Sequence, residues 1–175
     1  SSWTVRRGLI TRDRLASMEF ELNDEELFVG RLRSRIGDSQ KQAAARAYLE
    51  SLPMRLDFEG QTGHCELDLE PVMVLGLAGL KQDIQEKLAN ATDPDQQATY
   101  RAFILAIEGL STAIKQAADM VDSRLSEAHV SRTKELQQLS KAIHHISYHA
   151  PDTFLEALHL LWFILIGVMQ ADKAW

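Results

Sequence analysis

The sequence predicts a mainly α-helical protein, a bundle of about four to five helices with a short N-terminal β-hairpin. Three observations carry this. Large apolar residues recur at three- and four-residue steps over most of the chain from Leu69 onward. Only 4 of the 175 residues are proline, so few helices are forced to stop. Period-two alternation is confined to Met18-Glu-Phe-Glu-Leu22 near the start. We treat residues 1–175 as a single domain, with a hairpin and short helices over 1–62 and a helical bundle over 63–175.

The elements follow in order. Met18–Leu22 alternates, Asn23-Asp24 are turn residues, and Leu27-Phe28-Val29-Gly30 returns, which is the pattern of a hairpin. The Ala-rich run from Gln40 to Leu52 should be helical up to Pro53, and Phe58–Leu67, with Gly60 and Gly63, should be loop. A helix over about Leu69–Ala91 turns Val74, Leu77, Leu80, Ile84 and Leu88 inward. Gly76 and Gly79 interrupt it, and glycines so spaced mark the close approach of a neighbouring backbone. Asp93 before Pro94 starts a long helix reaching about Ala128, whose stripe is Phe103, Ile104, Ile107, Leu110, Ile114, Ala117, Val121 and Leu125. Leu136, Leu139, Ile143 and Ile146 form the stripe of a helix over about Ser131–Ser147. Pro151 and the capping-box spacing Thr153…Glu156 open the last helix, which runs toward Trp175 without a Gly or Pro stop signal.

Composition narrows the function classes. There are 19 Lys+Arg against 25 Asp+Glu, a net charge of −6, which is a poor electrostatic match for nucleic acid or an anionic membrane surface. One cysteine, Cys65, excludes a disulfide framework and a four-Cys metal site, and it fits a reducing, cytoplasmic setting. Arg6, Arg7, Arg12 and Arg14 break up the first twenty residues, which argues against a secretory signal. Arg31, Arg33 and Arg35 extend this basic region, but no aromatic residues interleave them as in a nucleic-acid arm. The most apolar run, Leu160–Met169, is half the length of a span of about 20 residues and reads as a buried core helix. A helix apolar on nearly all sides must be covered on all sides. We therefore expect a homo-oligomer through the 153–175 helix.

Several stretches together resemble one family. Gly63-His-Cys-Glu-Leu-Asp68, followed by Val74-Leu-Gly-Leu-Ala-Gly-Leu80, resembles the "GH…D…VL..GL.GI" segment of the glycyl radical enzymes. Those are the pyruvate formate-lyase and glycerol/diol dehydratase-like proteins. Asp24–Gly30 resembles their "DELIVG", Tyr100-Arg-Ala102 their "FYRA", and Ala150–Phe163 their "PPETFWEALQLLWF". The resemblance covers about Met18 to the C-terminus. This chain departs from the pattern at Arg31, in place of Asn, at His159, in place of Gln, and in a shorter segment between Gly30 and Gly63.

The resemblance implies the N-terminal helical part of a barrel enzyme. In such an enzyme one loop carries a catalytic Cys and another a glycine that becomes a radical. A separate S-adenosylmethionine-dependent activating enzyme installs that radical. Neither loop has a counterpart here: no glycine stands in an Arg-Val-x-Gly-Tyr context, and Cys65 falls in the "GH" segment, where the family has no catalytic thiol. The implied reading is an enzyme fragment without catalysis of its own, and the alternative is a free-standing helical interaction module. We assign no catalytic residue, no metal ligand and no cofactor to this chain.

His64 is the one candidate substrate contact. The resemblance implies that it faces a barrel interior and hydrogen-bonds a substrate hydroxyl, while the plain alternative is a cap on the helix beginning near Asp68. Asp68 itself reads as that helix's N-cap. His64, Cys65 and Glu66 are adjacent in an extended segment and would point to opposite faces, so they do not form a nucleophile with its base. His145 and His149 share a helix face at metal-like spacing beside His144, but too few ligands accompany them. Trp162 and Phe163 either line a cavity or, more simply, fill the core.

Overall fold

A computed structural model describes residues 2–24, 26–30, 47, 51, 67–126 and 129–172. Five helices order them: α1 Trp3–Ala16, α2 Glu70–Asn90, α3 Pro94–Leu125, α4 Val130–Ile146 and α5 Phe154–Asp172. No strand occurs among the described residues. The long α3 is the spine, with α1, α2 and α4 against its sides and α5 closing the bundle over α4 and α1. The core sits where these meet: Leu77, Ile114, Val121, Ile143, Ile146, Leu160, Phe163 and Ile166 are all at most 2% exposed.

The capping chemistry sets the helix starts. Asp93 accepts from the amides of Asp95 and Gln96, as its position before Pro94 implies. Thr153 Oγ1 accepts from Glu156 N at 3.2 Å, and the Glu156 carboxylate accepts from Thr153 N at 3.1 Å, closing the capping box. Asp68 is not a cap. Leu69 holds that position with no side-chain bond, and Pro71 in the first turn removes one of the amides that would need a cap.

Short helices were expected within 1–62, but none was placed at α1. Ser2 caps it by accepting from Val5 N, but only Gly8 and Leu15 are fully buried along its length. It packs on α3 through missing side chains. A β-carbon on Gly8 would lie 2.7 Å from Ala102 Cα, and one on Gly109 would lie 2.7 Å from Arg12 Cα. Backbones this close require glycine at both points. The same packing corrects the α3 stripe. Ile114, Ala117 and Val121 are buried as expected, but Ala98, Gly109 and Ala113 also face inward, and Phe103 is 51% exposed.

The hairpin is also corrected. The chain does reverse at Asn23–Glu26, where Glu26 N donates to Asn23 O, and one backbone bond joins Gly30 N to Glu21 O. No ladder forms, because the returning limb turns its carbonyls to α5 instead. Trp162 Nε1 donates to Val29 O at 3.0 Å, and His159 Nε2 lies 3.2 Å from Leu27 O. Arg132 on α4 donates to Glu26 O. Leu22 and Val29 are buried by this arrangement, and Phe20 meets Phe163 edge-on at 5.9 Å. The helix expected over Gln40–Leu52 and the loop expected over Phe58–Leu67 lie outside the described residues, apart from single positions.

Candidate functional site

Among the described residues, the most irregular helical backbone lies where α2 meets the end of α4. Gly76 interrupts α2 with φ 65° and ψ 177°, a conformation open essentially to glycine alone. The break admits the turn after α4. A β-carbon at Gly76 would lie 2.3 Å from both Ala150 N and His149 C, and Ala78 N donates to Tyr148 O at 2.8 Å. The expectation of a close backbone approach is met at Gly76. At Gly79 the added carbon would meet only the Leu75 side chain, at 3.1 Å. The break also resets the helix phase. Val72 is buried before it and Leu77 and Ile84 after it, so Val74, expected inside, is 67% exposed.

Hydrogen bonds hold the turn from both sides. Ser111 Oγ donates to Ser147 O and Ser147 Oγ to His144 O, each at 2.7 Å. His145 Nε2 donates to Ala150 O at 2.9 Å and lies 3.3 Å from an Asp152 carboxylate oxygen. The His149 ring tilts against that of His145 with 5.1 Å between centroids. Beside the turn opens a cleft of about 360 Å3 bordered by Arg12, Leu77, Lys81, Glu108, Ser111 and Tyr148. Lys81 and Glu108 pair across it at 2.7 Å.

Among the described residues, two groups of side chains bring three possible metal ligands within 4.8 Å: His145, Asp152 and Glu156, and Asp119, Asp122 and His144. Their donors are already engaged. Glu156 accepts from two backbone amides, His145 donates to Ala150 O, and Asp119 pairs with Lys115 at 2.9 Å. Asp122 accepts from Ser140 Oγ on one oxygen and lies 2.8 Å from His144 Nε2 on the other. Ser, Asp and His are therefore together but in the wrong order for nucleophilic catalysis. The hydroxyl bonds to the carboxylate, a weak base, and the imidazole of His144 stands on the far side of that carboxylate and not at the hydroxyl.

Asp122 does carry a clear electrostatic perturbation. Burial pushes its carboxyl up, but the hydrogen bonds from His144 and Ser140 and the nearby positive charge of His144 and Lys115 outweigh it, leaving it below the ordinary range. A carboxyl lowered by folding stabilises the fold above its unfolded value, about 4, and that contribution disappears as pH falls through the lower folded value. Asp122→Ala leaves the buried Ser140 hydroxyl without its acceptor. We expect a loss of about 1–2 kcal/mol at neutral pH. The part of that gap due to the carboxylate charge should close as pH falls below about 4, while the part due to the orphaned Ser140 hydroxyl persists, which urea unfolding at several pH values would measure. A gap of unchanged size in acid would show that the charge is not involved.

Of the residues singled out in the sequence, Phe163 is core and Trp162 is anchored to Val29 O, so neither opens onto a cavity of its own. His145 and His149 are brought together at the end of α4, whereas His144 turns to Asp122 on α3. His64, Cys65, Glu66, Arg31, Arg33 and Arg35 lie outside the described residues. His159 is 1% exposed, with Nδ1 2.8 Å from Leu155 O and its ring stacked on Phe28 at 4.9 Å. The break at Gly76 was signalled by the glycine itself and the end of α4 by Pro151, but nothing in the sequence said that the turn at Tyr148–Ala150 is what the break admits.

Comparison with known structures finds the same fold in three dehydratases. The glycerol-bound B12-independent glycerol dehydratase from Clostridium butyricum matches with a TM-score of 0.79 at 18% identity, covering 95% of this chain and 29% of that one. A Roseburia inulinivorans structure concerned with 1,2-propanediol dehydration gives 0.78 at 18% identity, covering 98% and 28%. Hydroxyproline dehydratase from Clostridioides difficile, with trans-4-hydroxy-L-proline bound, gives 0.73 at 17% identity, covering 96% and 29%. The chain thus spans less than a third of the length of each of them. No curated protein matches it in sequence. The family model described as pyruvate formate lyase-like matches residues 5–174, and the chain belongs to that family.

Proposed function

We propose that this chain is the N-terminal segment of a glycyl radical lyase or dehydratase acting on a small organic substrate in the cytoplasm. The observation that carries this reading is the family match over residues 5–174, alongside neighbours of which the chain covers 28–29%. The segment supplies scaffold: its ordered side chains are engaged in packing and capping. The radical chemistry belongs to the parent, which would need a Cys loop, a glycine loop and an S-adenosylmethionine-dependent activating enzyme. Within the parent, His64 is the residue we assign to contact with a substrate hydroxyl, since an imidazole can donate and accept near neutral pH.

The 175-residue chain, mixed anaerobically with an activating enzyme and S-adenosylmethionine, is expected to give no glycyl radical doublet by electron paramagnetic resonance. A doublet would overturn the reading. The reading frame beyond Trp175 offers the complementary test. A continuation encoding a Cys loop and an Arg-Val-x-Gly-Tyr segment agrees with it, and an immediate stop codon favours a free-standing interaction module. One observation speaks for that second reading, the apolar outer face of α5, on which Phe154 is 79% exposed.

A further inference from the structure

His159 is the one buried imidazole among the described residues. Both of its ring nitrogens meet a carbonyl oxygen: Nδ1 lies 2.8 Å from Leu155 O and Nε2 3.2 Å from Leu27 O. A neutral imidazole carries a proton on one nitrogen and a lone pair on the other. In either tautomer, one nitrogen therefore sets its lone pair against that of a carbonyl, where no water can intervene. The imidazolium has a proton on each nitrogen and donates to both oxygens. We propose that His159 is a proton-operated latch: protonated, it ties the 26–30 segment to α5 through Leu27 O, and neutral, it lets that tie go. The neutral ring keeps its single proton on Nδ1, because the Leu155 contact is the shorter and lies within α5 itself.

The surroundings suit such a device. Burial opposes the charge, but both N–H groups have acceptors, and hydrogen bonds from a charged donor are the stronger kind. The ring also stacks on Phe28 at 4.9 Å with the planes 26° apart, and an aromatic face attracts a cation. Three side chains hold carbonyls of the segment: Arg132 at Glu26 O, His159 at Leu27 O and Trp162 at Val29 O. A guanidinium and an indole keep their donors at every physiological pH, and of the three the imidazole alone can withdraw one. The ionisable groups on the packed elements are committed elsewhere. The Glu26 carboxylate accepts from Asn23 N, and that of Glu156 on α5 accepts from Asp152 N and Thr153 N. On α4, Arg132 serves Glu26 O, while His144 and His145 are turned to Asp122 and to Ala150 O. α1 and α3 meet α5 at Gly167 through the apolar Leu15 and Leu110. Glutamine, which stands in place of His159 in the resembled segment, would hold the carbonyl without responding to pH.

The inference goes beyond the enzyme-segment reading and is tested by NMR on the 15N-labelled 175-residue chain. Histidine is the side chain that ordinarily changes charge between about pH 5 and 8, so spectra are compared near those limits. At the acid end both His159 ring nitrogens should show imidazolium shifts, and at the alkaline end Nε2 should show the shift of a bare nitrogen. The Gly30 amide, which donates to Glu21 O, and the Trp162 indole N–H report on the segment. Relative to the Ile114 amide, and corrected for intrinsic rates, both should exchange at least about threefold faster at the alkaline end. In His159→Gln that ratio should be the same at both ends, with the circular dichroism spectrum of the unmodified chain. A His159 ring that keeps one protonation state throughout overturns the proposal. So does a ratio indifferent to pH, or one that shifts equally in His159→Gln, which would assign the effect to another group. If His159→Gln fails to fold, the ring shifts and exchange ratio of the unmodified chain decide by themselves.

Discussion

Gly76→Ala is expected to cost about 2–6 kcal/mol of folding stability, from two sources that act together. A residue with a β-carbon is strained at φ 65° and ψ 177° by about 1–3 kcal/mol. That carbon would also fall 2.3 Å from two main-chain atoms of the His149–Ala150 link. Backbone cannot swing aside like the end of a side chain, so α2 and the turn must separate, adding about 1–3 kcal/mol. Separation also endangers the bond from Ala78 N to Tyr148 O. Domains of this size carry about 5–15 kcal/mol in total, so the variant should unfold at a much lower urea concentration. Gly79→Ala is the control. Its carbon would meet only Leu75, and alanine favours a helix over glycine by about 1 kcal/mol, so its stability should stay within about 1 kcal/mol of the unmodified chain. Equal effects at both positions would contradict the role given to the break.

Phe163→Ala is expected to cost about 3–5 kcal/mol. Phe163 is 2% exposed and belongs to the cluster that joins α3, α4 and α5. Its ring also receives the edge of Phe20, so the substitution empties a volume that both the bundle and the 18–30 segment border. With about 2–4 °C lost per kcal/mol in a protein of this length, the melting temperature should drop by roughly 6–20 °C. A drop under about 3 °C would mean that the surroundings collapse into the space and that Phe163 is not a central packing element.

Large side chains and caps made much of the fold legible. Leu136, Leu139, Ile143 and Ile146 are all buried, as their spacing implies. The starts of α3 and α5 were marked by Asp93-Pro94 and Thr153…Glu156. Small residues concealed the rest. The contact between α1 and α3 is made by Gly8, Ala102 and Gly109, which carry little or no hydrophobic signal. A reading that follows bulk therefore chose Phe103, which points outward, and passed over α1 entirely. The 18–30 segment misled differently. Its alternation and turn residues were those of a hairpin, but Trp162 and His159, more than a hundred residues away, took the carbonyls that a ladder would have used. Of the candidate site, the histidines at the end of α4 could be seen in the sequence. The Asp122–Ser140–His144 cluster could not, because it joins two helices at no recognisable spacing.

The way α1 is attached also ranks the parts of the molecule by how readily they open. Burial of large apolar side chains is what a segment must give up to detach, and α1 gives up little beyond Leu15. Gln116 Nε2 donating to Ala16 O holds its far end, with Gly167 passing close to Leu15. The amide protons of α1 are therefore expected to exchange with solvent through a local opening that leaves α3, α4 and α5 assembled, while those around Ile114 and Ile143 should wait for the whole chain to unfold, which hydrogen exchange would measure. α3, α4 and α5 should then act as a slow-exchanging nucleus from which α1 lifts off by itself, because contacts made by glycine bring backbones close without burying much surface.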